Sequence, residues 1–176
     1  NLETKDYVIH KNKKPFELKH FIEFPSEYES QTYEYLKVSD LFISAHYWDP
    51  SSPKIFTKEQ MKEFLKLKII GDITCDVDGS IPTTIKSTTI EEPNFFLNTE
   101  IFSETEKADG NLAIMAVDNL PSELPRDSST EFGNGIVNEV IPYILEKDDG
   151  RILNSTITAE GRFLKKYNYL NEYINS

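Results

Sequence analysis

Residues 73 to 81 read ITCDVDGSI, so an apolar run gives way at once to two carboxylates, Asp76 and Asp78, and a Gly-Ser turn. Carboxylates at the end of a strand can bind a cation, move a proton or favour a developing positive charge. Two other short runs end in the same manner: LFISAHYW carries His46 before Asp49-Pro50, and NLAIMAVDNLP ends in Asp118 and Asn119. Such a histidine is a candidate acid or base, or simply a packed side chain. For Asp76 and Asp78 a solvated turn is the reading that composition alone favours. A calcium loop does not fit, because D-x-D-G lacks the remaining acidic positions of that motif. Neighbours two apart on a strand share one face only if the strand continues, so a hydrolytic carboxylate pair has little support. Cys75 falls on the apolar run with no histidine close to it in sequence, which argues against a nucleophile.

These residues need a scaffold. The segments LFISAHYW, KIIGDITCD and LAIMAV read as strands, the first buried and the second with Gly71 allowing close backbone approach. A helix is expected over 15–24, with Leu18, Phe21 and Ile22 on one face, and another over 26–38. TKEQMKEFLKL reads as a helix capped by Thr57 with Gln60 reaching back. Strand, helix, strand and a long connection to a third strand is the order of a parallel sheet with crossovers. In such sheets ligands lie outside the carboxyl ends of the strands, which is where the three polar runs sit. From Asp127 or Ser128 an uneven helix is expected, bent by Gly133, Gly135 and Pro142, followed by a β-like ILNSTIT and a last helix in LKKYNYLNEYI. The apolar faces of these last elements need a partner surface.

Composition bounds the rest. The 176 residues are 38% hydrophobic and 12% aromatic, enough for a packed core. With 30 acidic against 19 basic residues the net charge is −11, which disfavours nucleic acid and anionic membrane surfaces. One cysteine excludes an internal disulfide and a four-cysteine zinc site, and no apolar run approaches a membrane helix, so a cytoplasmic location is expected. The first residues, NLETKDY, have no initiator Met, and a fragment of a longer protein is expected.

The three segments together resemble the nucleotide-binding part of the alanine dehydrogenase and transhydrogenase superfamily, and within it the lysine-oxoglutarate reductase and saccharopine dehydrogenase branch. DITCDVDGSIPTTIKSTTIEEPNFF is similar to that branch's D-I-x-x-D-x-x-G-S-I stretch and T-T-I-x-x-P turn, and AVDNLPSELPRDSS to its D-N-L-P-x-x-L-P-R-x-x-S segment. LFISAHYWDP resembles its strand ending in an aromatic pair, and KKYNYLNEYI its closing helix.

The resemblance implies an α/β chain: the second half of a Rossmann-like parallel sheet with flanking helices, plus a C-terminal helical segment that returns to a missing N-terminal domain. It implies a partial NAD(P)-binding domain over 1–125 and a returning segment over 126–176. It further implies NAD or NADP as cofactor in the complete enzyme, and an amino acid and a 2-oxo acid as substrates, joined and reduced as an imine or released by the reverse oxidation in lysine metabolism. By resemblance Asp76 stands beside the nicotinamide as the catalytic residue. Val117, Asp118, Asn119 and Leu120 lie along its ribose, and Ala45 and His46 lie under the cofactor. No G-x-G-x-x-G turn occurs in the chain, so the pyrophosphate half of such a site is expected elsewhere. The isolated chain is then expected to be inactive, with self-association into a homodimer or fraying of the tail as the outcome for its uncovered faces. The alternative is a non-catalytic binding or interaction module that retains the fold.

Overall fold

The computed structural model describes residues 2–106 and 108–174, which divide into two compact units, 1–123 and 124–176. Among the described residues no helix is long and apolar enough to cross a membrane.

The first unit opens with a one-turn helix α1 (Thr4–Tyr7), then β1 (Val8–His10), α2 (Leu18–Glu23), β2 (Tyr28–Ser30) and α3 (Thr32–Leu36). The helix expected over 26–38 is thus split by a strand. Tyr28 to Ser30 pair antiparallel with Val8 to His10, and the Tyr28 ring is buried among His10, Phe16 and Phe21. Burial of an aromatic ring outweighs the small helical preference of three residues.

The main sheet contains β3 (Leu41–Ser44), β4 (Ile69–Asp72), β5 (Asn94–Asn98), β6 (Ser103–Thr105) and β7 (Leu112–Met115), in the spatial order β3-β4-β7-β5-β6. The β3–β4 and β4–β7 pairs are parallel, as the sequence order predicts. The long connection to β7 contains an antiparallel hairpin, β5–β6, that extends the sheet and makes it mixed. Its turn has no Gly or Pro; the Asn98 carboxamide oxygen accepts the Glu100 and Ile101 N–H groups instead.

One face of the sheet, carrying Phe42, Ile70, Ile114 and Phe95 in register, packs on Ile55, Phe56, Met61, Phe64 and Leu67 of the β3–β4 crossover. The capping pair forms as expected, Thr57 N–H to Gln60 and Gln60 N–H to Thr57, but only a 3-10 turn follows, Gln60–Glu63. Met61, Phe64 and Leu67 recur every three residues and all are buried, a spacing that suits the eclipsed side chains of a tighter turn better than an α-helix. The other sheet face is half open. Leu41 and Ile43 are 52% and 58% exposed because β3 is an edge strand, not the buried strand its composition predicts. Nor does Gly71 mark a close approach: an added Cβ would meet Met115 and Ile43 at 3.6 and 3.7 Å, ordinary contact distances.

The second unit holds α4 (Pro125–Glu139), α5 (Ile141–Leu145), α6 (Arg151–Ser155), a two-residue hairpin of β8 (Thr158–Ala159) and β9 (Arg162–Phe163), and α7 (Asn171–Ile174) after a 3-10 stretch, Lys165–Leu170. Gly133 and Gly135 lie inside the unbroken α4, and the expected bend is a break at Val140, before Pro142. ILNSTIT begins helical instead of extended, since the Asp148 carboxylate accepts the N–H groups of Gly150, Ile152 and Leu153 and so caps α6. None of this unit's described residues is buried.

Candidate functional site: the carboxyl ends of β3, β4 and β7

The final residues of β3 and β4, Ser44 and Asp72, stand in register on the buried face. Asp72 is only 1% exposed, and its Oδ2 accepts the Thr84 hydroxyl at 2.6 Å. Its other oxygen has no partner among the described residues. A carboxylate sealed at a strand end is costly to leave half-bonded.

Past β4 the chain turns sharply. Cys75 and Asp78 both adopt left-handed backbone, φ 52° and 55°, and Gly79 N–H closes the turn on Asp76 O at 2.9 Å. Cys75 therefore sits beyond the strand, where its apolar neighbours alone would not place it. Thr84 ties this turn down twice, through its hydroxyl to Asp72 and through its carbonyl, which accepts Asp78 N–H at 3.1 Å. Asp76 and Asp78 are exposed on the turn, whereas Ser80, Thr83 and Thr84 behind it are buried.

At the end of β7, Ala116 and Val117 are buried. Thr88 N–H donates to Ala116 O, Ala116 N–H to the Thr88 hydroxyl, and Thr88 and Val117 form a parallel bridge. Asp118 and Asn119 then emerge into solvent, with Leu120 half-buried at the start of a 3-10 turn. Beyond β3, Ala45 is exposed and His46 half-buried. Tyr47, which its aromatic character would assign to the core, is 92% exposed.

Electrostatics shows that these ends share one locality. Burial pushes the Cys75 thiol above its ordinary pKa, and the carboxylates of Asp72, Asp76 and Asp118 push in the same direction. Burial holds His46 below the usual imidazole value, against the opposing pull of Asp72 and Asp76. The structure thus brings Asp76, Asp118 and His46 into one acidic region at the carboxyl edge. Two cavities of about 450 and 370 Å³ border His46 and share Leu2, Tyr7, Ala45 and Ile55. A cavity of about 810 Å³ lies at the opposite edge, lined by Lys68, just before β4, and by Leu112, the first residue of β7, away from this chemistry.

Sequence reasoning missed Asp72, Thr84, Ser44 and Thr74. For Ser44 and Asp72 the signal was polarity at period-two positions on an otherwise apolar strand face, Phe42 to Ser44 and Ile70 to Asp72; Thr74 and Thr84 lie beyond the strands and carried no such signal. A separate cluster, His10, His20 and Glu27, brings three ligand-type side chains within 4.8 Å of one another. Asn12 N–H occupies His10 Nδ1 at 3.0 Å, so His10 carries its hydrogen on Nε2 and donates it to Glu27 at 3.1 Å. The nitrogen that a metal would need is already protonated, and the cluster reads as a satisfied structural network.

The chain is 28% identical over 178 residues to an alpha-aminoadipic semialdehyde synthase of Arabidopsis thaliana, covering 95% of this chain and 17% of that protein. It is 28% identical over 107 residues to saccharopine dehydrogenase [NAD(+), L-lysine-forming] of Schizosaccharomyces pombe, covering 58% of this chain and 27% of that protein. It is 29% identical over 112 residues to alanine dehydrogenase 2 of Staphylococcus aureus, covering 63% and 26%. The chain therefore spans between about a sixth and a quarter of the length of these relatives. Residues 4–169 match the family described as alanine dehydrogenase/PNT, C-terminal domain, and the chain, with its parallel strands ending in the acidic region just described, belongs to that family.

Proposed function

We propose that this chain forms the nicotinamide side of an NAD(P)-dependent amino-acid oxidoreductase of the saccharopine dehydrogenase and lysine-oxoglutarate reductase type. The observation that carries this reading is the gathering of Asp76, Asp118 and His46 at the carboxyl ends of adjacent parallel strands, where open α/β sheets bind ligands. The names of the relatives support the reaction class.

The residues present fit half of a dinucleotide. An unpaired buried nitrogen on His46, exposed Asp118 and Asn119 at the end of β7, and an exposed carboxylate on a rigid turn suit a nicotinamide ribose and its reacting partner. No glycine-rich turn occurs in the chain for the pyrophosphate, which falls to another part of the complete protein. When bound, the cofactor supplies or accepts the hydride. Asp76 provides negative charge beside a cationic amine or iminium, and the turn that carries it is tied down by Gly79 N–H on the Asp76 carbonyl and by Thr84 on Asp72 and Asp78. Val117, Asp118, Asn119 and Leu120 line the ribose, while Ala45 and His46 form the floor. The substrates are an amino acid and a 2-oxo acid, and the second unit, 124–176, returns to an N-terminal domain or covers its apolar faces in a homodimer.

Asp76→Asn in the complete protein tests this reading. The change is nearly isosteric and removes only charge, so turnover should fall tenfold or more with the thermal midpoint unchanged. Wild-type turnover in the Asn variant would remove Asp76 from the chemistry. The second reading, a non-catalytic module, draws on the missing glycine-rich turn; nicotinamide cofactor bound by the complete protein without turnover on any amino acid would favour it.

A further inference from the structure

Three contacts at the ends of β3 and β4 admit only one placement of hydrogens. The Thr74 hydroxyl donates to the His46 carbonyl oxygen at 3.2 Å. Its single hydrogen is then used, so in the 3.2 Å contact with Ser44 Oγ the Thr74 oxygen accepts and Ser44 donates. Ser44 in turn has no hydrogen left for the 3.1 Å contact with His46 Nδ1, and that nitrogen must be the donor. Ser44 is 2% exposed, which keeps water from competing for these bonds. The other ring nitrogen, Nε2, is enclosed and has no partner among the described residues. Leaving a buried acceptor unpaired is costly.

We infer that Thr74 and Ser44 are positioning residues that lock neutral His46 in the Nδ1–H tautomer, holding Nε2 as a bare acceptor for an N–H or O–H hydrogen of the bound nicotinamide dinucleotide. The tautomer follows from the hydroxyl relay alone; the identity of the donor rests on the function proposed above. His46 lines two cavities at the strand edge where that ligand would sit. Burial, which disfavours the imidazolium, keeps the ring in the neutral form for which the tautomer has meaning. The free neutral side chain favours the opposite, Nε2–H tautomer, so the relay inverts the default. The arrangement costs the apo protein an unpaired nitrogen that a ligand donor would satisfy.

Two-bond proton–nitrogen NMR spectra of the ring, recorded on this chain above the titration range of His46, read the tautomer directly. Nδ1 should show the protonated-nitrogen shift and Nε2 the bare one. Thr74→Val frees the Ser44 hydrogen to turn onto Nδ1, and the ratio of Nδ1–H to Nε2–H should fall at least fivefold; Thr74→Ser should restore it. Nε2–H in the wild-type chain, or a ratio unmoved by Thr74→Val, overturns the relay. In the complete protein, NADH should shift the Nε2 resonance and leave Nδ1 protonated, and an Nε2 that does not move overturns the acceptor role. ADP-ribose, which keeps the ribose hydroxyls and lacks the carboxamide, separates the two donors: a shift with both ligands assigns the ribose, a shift with NADH alone assigns the carboxamide. The Asp76→Asn kinetics stand apart from all of these readings, so the relay and the proposed reaction can fail separately.

Discussion

A methyl group at Gly79 would lie 2.5 Å from Asp76 Cβ and 2.7 Å from the Asp76 carbonyl oxygen. The turn that presents Asp76 is thus folded back on the very residue it presents, and the glycine is required for space: its φ is not among the positive ones. Gly79→Ala should destabilise the chain by about 1–3 kcal/mol, as overpacking against backbone does. Gly71→Ala is the control, since its added Cβ meets side chains only at ordinary distances and should change stability by less than about 0.5 kcal/mol. Urea midpoints of the two variants check the contrast, and equal losses would show that the turn has room.

Thr84→Val should cost about 2 kcal/mol, because it removes the hydroxyl that donates to buried Asp72 at 2.6 Å and leaves the acid without that bond. Thr84→Ser keeps the donor and should lose much less. If the two variants unfold at the same denaturant concentration, the loss is one of packing and Asp72 is bonded in some other manner.

The Cys75 thiol should alkylate more slowly than a free thiol at neutral pH. Burial and the carboxylates of Asp72, Asp76 and Asp118 raise its pKa, so less of the reactive thiolate is present at a given pH. The pH at which iodoacetamide reacts at half its maximal rate should lie above the free-thiol value, and Asp76→Asn should lower it toward that value. A half-maximal pH below the free-thiol value would separate the strand ends that the structure brings together.

The second unit should be the first to open. With no described residue buried, and with Phe132, Val137, Ile144, Leu145 and Tyr173 all exposed, its amides lack the packing that slows exchange. In a demonstrated monomer, amides of 164–174 should exchange faster than those of 41–44 and 69–72. Equal protection would make the unit self-sufficient and remove the reason for a covering partner.

The sequence by itself determined the three parallel strands and the polar residues at their ends. Apolar runs of β-formers bounded by turn residues report strands, though not which of them lies at the edge, and Asp76, His46 and Asp118 each stand where such a run stops. The Thr57 and Gln60 cap was legible for the same reason, as a short-range bond between residues three apart. What only the tertiary structure decided depends on partners distant in the chain. Tyr28 became strand instead of helix because β1 was available to pair with it, and β3 became an edge because nothing described pairs with its free side. The hidden part of the site joins Asp72 to Thr84, 12 residues away, and Thr74 to Ser44 and His46, 30 and 28 residues away, and these hydrogen bonds leave no periodic mark. Periodicity records which residues are withdrawn from water; it does not record which polar atom meets which, and that pairing sets the charge, the tautomer and the shape of the turn.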